Sequence, residues 1–141
     1  DENLPGGARL RFRRAGHILG AAIAEIHVRD RTLVFSGDLG RYGDPFMLDP
    51  EMIGRADYVV VESTYGDRLH PQIDPMDALG EVIERTARRG GTVVIPAFAV
   101  GRAQLLLYHL WMLKNAGRLQ SVPVFLDSPM AVDATDLLCK H

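Results

Sequence analysis

Two short stretches of the sequence carry side chains that could bind a metal ion. His17 lies between glycines in RRAGHILGAA (residues 13–22), and Asp38 follows a glycine in LVFSGDLGR (residues 33–41). An imidazole and a carboxylate with open coordination positions beside them suit zinc or a similar divalent ion. The neighbouring glycines allow sharp backbone turns that aim both groups at a shared point. Each residue taken alone is more often a structural residue of a turn, and only their predicted proximity favours a metal site.

The elements around this pair are predicted to bring the two side chains together. Alternating residues over 21–28 predict a half-buried strand with His27 facing outward. The turn RDR and the run TLVFSG follow it, so residues 21–37 are predicted to form a hairpin. The residue that enters the first strand of a hairpin and the residue that leaves the second lie at the same edge. His17 and Asp38 are therefore expected to be neighbours.

The rest of the chain reads as further strands and helices. Residues 8–14 predict a strand, and the apolar run YVVVEST at 58–64 is typical of a strand covered on both faces. Three helices are predicted, from Asp74 to Gly90, over 102–116 and over 129–140, and they alternate with the strand-like runs TVVIPA (92–97) and PVFLDS (123–128). This alternation predicts an α/β fold with parallel strands and helices packed on the sheet.

Composition narrows the class of protein. The 141 residues are 47% hydrophobic and carry a net charge of -2 with dispersed Lys and Arg, which suits a globular chain without a nucleic-acid-binding tail. The single cysteine, Cys139, excludes an internal disulfide framework and fits a reducing compartment. No apolar run approaches the roughly 20 residues that span a bilayer. We therefore expect a soluble, cytoplasmic protein that does not bind membranes.

Four motifs, in this order, resemble the β-CASP branch of the metallo-β-lactamase fold: GHILGAA, FSGDLGR, VVESTYGDR and IPAFAVGRAQLLL. That branch contains RNA-processing nucleases such as RNase J and the endonuclease subunit of the cleavage and polyadenylation specificity factor. VFLDSPMA at 124–131 is similar to the bacterial and archaeal members. The resemblance implies that residues 1–68 are part of a metallo-β-lactamase αββα sandwich. Residues 69–141 would be part of an inserted β-CASP α/β domain with a parallel sheet.

The resemblance also implies roles for individual residues. His17 matches the histidine of the third metal motif, and Asp38 matches the carboxylate of the fourth, which bridges two zinc ions. Glu62 matches the acidic residue of the first β-CASP motif, which pairs with a histidine beside the metal centre. Asp38 and Glu62 are thus the candidate catalytic residues. The implied activity is hydrolysis of RNA phosphodiester bonds, with two Zn²⁺ ions as cofactor, single-stranded RNA as partner and a homodimer as a further expectation.

Three of the candidate residues could equally serve the fold alone. Arg102 and Ser128 each begin a predicted helix and are candidate RNA-phosphate ligands, but a surface arginine and an N-cap serine fit these positions as well. Glu62 could instead cap a strand end or form an ion pair with Arg68. His70, which precedes a proline, is predicted to lie in a loop.

The chain departs from the family pattern in its ligand count. The main metal motif, His-x-His-x-Asp-His, occurs nowhere in the sequence, and the two later histidines of the family would follow residue 141. Catalytic zinc usually needs three protein ligands. We therefore expect a fragment of a longer protein, inactive by itself. A metallo-β-lactamase-fold hydrolase of small esters or thioesters and a non-catalytic nucleic-acid-binding relative stay open as alternatives.

Overall fold

The computed structural model of the chain describes residues 1–69 and 71–141, so that the prediction for His70 falls outside the described residues. The chain divides into two compact units, Asp1–Leu69 and His70–His141. Each unit contains a hydrophobic core of its own.

The first unit is a five-stranded sheet in which the strands follow one another in chain order. Its elements are β1 (Glu2–Asn3), a 3₁₀ turn (Pro5–Gly7), β2 (Arg9–Arg14), β3 (Ala22–Val28), β4 (Arg31–Phe35) and β5 (Tyr58–Val60). Strands β1 to β4 pair antiparallel, and β4 pairs with β5 in parallel. The predicted strand at 8–14 and the predicted hairpin at 21–37 are confirmed.

The core of the first unit lies on one face of this sheet. Buried Ile23 of β3 and Val34 of β4 form it together with Ala15, and partly buried side chains from the loops pack against them. The other face presents large apolar side chains to solvent, namely Phe12, Phe35, Tyr58 and Val60. One face of the sheet is thus covered by the chain's own loops, and the other is not.

Two predictions about these strands are wrong. His27 does not face outward, because β3 turns Ile23 and the charged Glu25 toward the buried side, and His27 shares that side. Charge compensation by Arg13 allows the acidic residue to be buried there. The run at 58–61 is not covered on both faces: its side chains are 56–62% exposed. At the edge of the sheet, where β5 pairs with β4, its side chains have neighbouring strand residues on one side only, which leaves them largely exposed.

The second unit contains three helices, α1 (Pro75–Arg88), α2 (Arg102–Asn115) and α3 (Pro129–Lys140), as predicted. The Asp74 carboxylate caps α1 by accepting hydrogen bonds from the backbone N–H groups of Met76 (2.7 Å) and Asp77 (3.2 Å). Ile83 of α1 packs against Leu113 of α2 and Leu119 in the core. Of the helices that the structure describes, none is long and apolar enough to cross a membrane.

The predicted strands at 92–97 and 123–128 are absent from the described part of the second unit, which has no strand. Val94 and Phe125 in these runs are 84% and 86% exposed. A β-strand needs a neighbour that accepts and donates its backbone hydrogen bonds, and an apolar sequence does not supply one. The parallel sheet predicted for this part of the chain is therefore not formed within residues 71–141.

Candidate functional site

His17 lies at the surface on a short loop between β2 and β3. Gly16 and Gly20 adopt positive φ angles of 71° and 84°, which glycine tolerates and other residues rarely do. Backbone hydrogen bonds close the loop, from Ala15 N–H to the Ala21 carbonyl (3.2 Å) and from Ala21 N–H to the Ile18 carbonyl (3.0 Å). The imidazole is thus exposed on a loop whose backbone is fixed at its base.

Asp38 lies just beyond the end of β4, also at the surface. The backbone that leads to Asp38 is held in place by Ser36, which is only 6% exposed. The Ser36 N–H donates to the Val60 carbonyl (2.9 Å), and the Ser36 hydroxyl oxygen accepts from the Glu62 N–H (3.0 Å). Gly37 then turns the chain with a φ of 55°. The strand end that presents Asp38 is therefore anchored to the segment that carries Glu62.

Direct backbone packing brings the His17 loop and the Asp38 loop together. The Gly40 N–H donates to the Ala15 carbonyl (2.9 Å). A Cβ atom at Gly40 would overlap the Gly16 carbonyl group and lie 2.8 Å from the His17 backbone nitrogen. Only glycine allows this approach, since any side chain would push the two loops apart. The loops of His17 and Asp38 are therefore in contact, and the expected approach of the two side chains stays a prediction.

Sequence reasoning missed Gly40 and Ser36 as residues that position this site. Gly40 does not have a positive φ, so no turn requires a glycine there. The available signal in the sequence was Gly40 itself, the second glycine of FSGDLGR. A glycine can mark a close approach of two backbones as well as a turn. Ser36 carried no signal of its own, because its partners come from a strand more than twenty residues later.

Glu62 follows β5 and reaches back to the loop that carries Asp38. Its carboxylate accepts hydrogen bonds from the backbone N–H of Leu39 (2.9 Å) and of Thr64 (3.3 Å). The hydrogen bond from the Leu39 backbone lowers the pKa of Glu62 most. Hydrogen bonds from the side chain and the backbone of Thr64 and the electrostatic effect of nearby His17 lower this pKa further. The alternative ion pair with Arg68 does not form, since Arg68 contacts Asp67 instead (3.5 Å). Glu62 thus holds the backbone of the residue next to Asp38.

The donor set fits part of a zinc site. His17 offers a nitrogen and Asp38 an oxygen, both of the types that zinc binds, and both are exposed on loops in contact. Over residues 1–69 and 71–141, however, no group of three or more His, Cys, Asp or Glu side chains is arranged to hold a metal ion. A catalytic zinc ion usually needs three protein ligands, so the role of this pair as zinc ligands stays a prediction.

The other two candidate residues lie in the second unit. Arg102 is the first residue of α2, is exposed and takes part in no ion pair with any residue that the structure describes. Ser128 is the N-cap of α3, and its hydroxyl oxygen accepts a hydrogen bond from the Ala131 N–H (3.2 Å). A capping role thus accounts for Ser128. Contact of either residue with RNA stays a prediction.

Comparison with known proteins identifies the chain as a homologue of RNA-processing nucleases, which confirms the resemblance to the β-CASP branch. It is 44% identical over 127 residues to ribonuclease TTHA0252 of Thermus thermophilus, an alignment that covers 89% of this chain and 29% of that protein. It is 39% identical over 140 residues to transcription termination factor FttA of Methanosarcina mazei, with 94% and 22% covered.

A eukaryotic relative shows the same pattern of coverage. The chain is 34% identical over 136 residues to endoribonuclease YSH1 of Mycosarcoma maydis, covering 93% of this chain and 15% of that protein. No protein-family profile matches the chain. The chain thus spans less than a third of the length of these three relatives.

Proposed function

We propose that this chain is part of a longer zinc-dependent ribonuclease, which hydrolyses phosphodiester bonds of RNA. The observation that carries the proposal is the backbone contact of Gly40 with Gly16 and His17, which brings the loops of His17 and Asp38 together. The names of the Thermus ribonuclease and the Mycosarcoma endoribonuclease support RNA as the substrate. In this proposal the first unit belongs to a metallo-β-lactamase domain and the second to a β-CASP domain.

His17 and Asp38 would hold the metal in the longer protein, with Asp38 contacting two zinc ions and His17 one of them. When bound, zinc lowers the pKa of water for attack on phosphorus and offsets the charge that develops on the phosphate. Glu62 would keep the loop after Asp38 in place through its hydrogen bond from Leu39. Arg102 and Ser128 would bind phosphates of single-stranded RNA.

The proposal is tested by two substitutions in the full-length protein. Asp38→Asn replaces a carboxylate that would contact both ions by a neutral amide, whereas His17→Ala removes a ligand from one ion only. We therefore expect Asp38→Asn to lose more bound zinc than His17→Ala, and both variants to lose RNA cleavage while the fold persists. Metal content by plasma emission, circular dichroism and cleavage of a labelled RNA measure these three properties.

Asp30→Asn is the matched control, because the Asp30 side chain is 85% exposed in the turn between β3 and β4. It should keep both the zinc content and the activity of the unmodified protein. If Asp38→Asn also keeps both, Asp38 is a turn residue and the proposal is wrong. If the unmodified full-length protein binds zinc but cleaves small esters and not RNA, it belongs to the other class of hydrolase.

A second candidate function is transcription termination, which is favoured by the 39% identity to the FttA protein of Methanosarcina mazei. The two functions are compatible, since cleavage of a transcript can accompany its release. One measurement distinguishes the two functions, namely RNA cleavage with and without RNA polymerase. A ribonuclease cleaves free RNA without RNA polymerase, whereas a dedicated termination factor acts only when a transcribing polymerase is supplied.

A further inference from the structure

A cavity of about 500 Å³ lies in the second unit, beside the start of α2. Its volume falls within the range of about 300–1,000 Å³ that is common for ligand sites. The lining is apolar except for one guanidinium group, and its residues are Ile95, Pro96, Ala97, Phe98, Arg102 and Leu106. Phe98 is 84% exposed, so most of its surface faces solvent. The cavity thus combines an available aromatic ring with a single cation.

The segment that carries Phe98 is held to α2 by hydrogen bonds. The Phe98 carbonyl accepts from the Ala103 N–H (3.1 Å), and the Val100 carbonyl accepts from the Arg102 N–H (3.0 Å). Gln104, only 5% exposed, accepts from the Gly101 N–H (2.7 Å) and donates to the Ala99 carbonyl (3.0 Å). These hydrogen bonds fix the backbone that carries Phe98 and Arg102, so that the ring and the cation start from neighbouring, ordered positions of the chain.

The charge of the cavity indicates what kind of ligand it takes. Arg102 pairs with no acidic residue in the described part of the chain, so its guanidinium is available to an anion. An apolar peptide segment would bury this cation without compensating it, which costs free energy. A nucleotide satisfies both features, since a base stacks on an aromatic ring and a phosphate pairs with arginine.

We propose that this cavity is a nucleotide subsite for single-stranded RNA, in which Phe98 stacks against a base and Arg102 binds the adjoining phosphate. The inference rests on the proposed function for its choice of RNA, and it adds a base-binding residue that the sequence motifs did not assign. Base stacking tolerates every sequence, because each base has a π-face. The subsite would therefore add affinity without adding sequence specificity.

Binding of a fluorescein-labelled single-stranded oligoribonucleotide to the 141-residue chain tests the subsite. Fluorescence anisotropy in the presence of EDTA measures the dissociation constant in the absence of cleavage. Phe98→Ala should raise the dissociation constant about tenfold, as loss of one stacked base predicts. Phe98→Trp should keep the affinity, and Phe98→Leu should lose it although the apolar volume remains. Arg102→Ala should make the dependence of log K on log salt shallower by about 0.7.

Two controls isolate the subsite from general effects of the substitutions. Phe125→Ala removes an equally exposed ring outside the cavity, and Arg88→Ala removes an exposed cation from α1. Both should bind like the unmodified chain. Equal affinities for Phe98→Ala and Phe125→Ala would overturn the proposal, as would full affinity in Phe98→Leu, which would indicate an apolar occupant.

The two proposals fail separately. If Phe98→Ala leaves the dissociation constant unchanged and the full-length protein cleaves RNA, only the proposed subsite is wrong. Failure of the Asp38→Asn test with a clear Phe98 effect would overturn the proposed function and leave the subsite as an RNA-binding feature.

Discussion

Glu25 is a carboxylate on the buried face of β3 and is 6% exposed. Arg13 of β2 donates to it (2.5 Å) and also contacts Glu51, and the His27 imidazole lies 2.8 Å from its other oxygen. The hydrogen bond from Arg13 is the main reason that the pKa of Glu25 is lowered, with a smaller contribution from His27. This network links β2, β3 and the long loop before β5.

We predict that Glu25 makes the stability of the first unit depend on pH. Because its pKa is lower in the folded state, its contribution is fully present above its unfolded value of about 4.3 and is lost as the pH falls through the folded value. Glu25→Gln should destabilise the unit by about 2 kcal/mol at pH 7 and weaken this acid dependence. Urea unfolding from pH 7 to pH 3 measures both, with Glu2→Gln as an exposed control. Equal acid profiles for Glu25→Gln and the unmodified chain would contradict the prediction.

Glu62 gives a second prediction for a single residue, in the full-length protein. An amide at this position can accept only one of the two backbone hydrogen bonds, from Leu39 and Thr64, that the carboxylate accepts now. Glu62→Gln should therefore disturb the loop beside Asp38 and slow RNA cleavage by up to about 10²-fold, as found for residues that orient the ligands of a metal. Zinc content should not change. Plasma emission that finds one zinc ion lost in Glu62→Gln would make Glu62 a ligand instead of a positioning residue.

At the scale of elements, the contact between two loops decides the geometry of the candidate site. Gly40→Ala would place a methyl group on the Gly16 carbonyl, and backbone atoms cannot move aside as a side chain can. We expect a loss of about 1–3 kcal/mol in unfolding free energy. In the full-length protein, zinc affinity should fall at least tenfold, by analogy with other changes that misorient ligands. Urea unfolding and zinc titration check the two effects.

Gly54→Ala is the matched control for Gly40→Ala. Gly54 lies in the same unit, has no atom within 4 Å of a built Cβ and has no positive φ. This variant should be as stable as the unmodified chain, or slightly more stable because the unfolded chain loses freedom. If the two alanine variants behave alike, the close approach does not position the site.

At the scale of the whole molecule, the ligand count gives a prediction for zinc. Among the described residues no cluster of three or more potential ligands exists, so His17 and Asp38 are expected to bind zinc weakly in the 141-residue chain. Equilibrium dialysis should find fewer than two tightly held ions per chain, and the little binding that occurs should fall in His17→Ala. Two tightly bound zinc ions per chain would mean that the chain completes the site without further ligands.

Both units expose large apolar side chains to solvent. Phe12 and Phe35 are exposed on the uncovered face of the sheet, and Val94 and Phe125 are exposed in the second unit. Large apolar side chains are more often buried than exposed, and contiguous exposed apolar patches are uncommon on soluble proteins. The exposure of Val94 and Phe125 accompanies the strands that are missing at 92–97 and 123–128, because these unpaired runs have no sheet on which to pack.

The sequence by itself determined the features that depend on near neighbours. Asp74 and Pro75 start α1, Ser128 and Pro129 start α3, and Gly117 follows the end of α2, all through hydrogen bonds within a few residues. The alternation of β3 and the short turn after it determined the hairpin. The hairpin in turn placed His17 and Asp38 at one edge, and the order of four motifs indicated the homology to RNA-processing nucleases.

Only the tertiary structure decided the features that depend on distant partners. The burial of Glu25 depends on Arg13, which lies on another strand, and the alternation of β3 is compatible with either face. The close approach of Gly40 joins two loops that are more than twenty residues apart. Apolar runs at 92–97 and 123–128 favour strands, but a strand forms only where another strand shares its hydrogen bonds. Pairing is a property of two segments, and the sequence of one segment does not determine it.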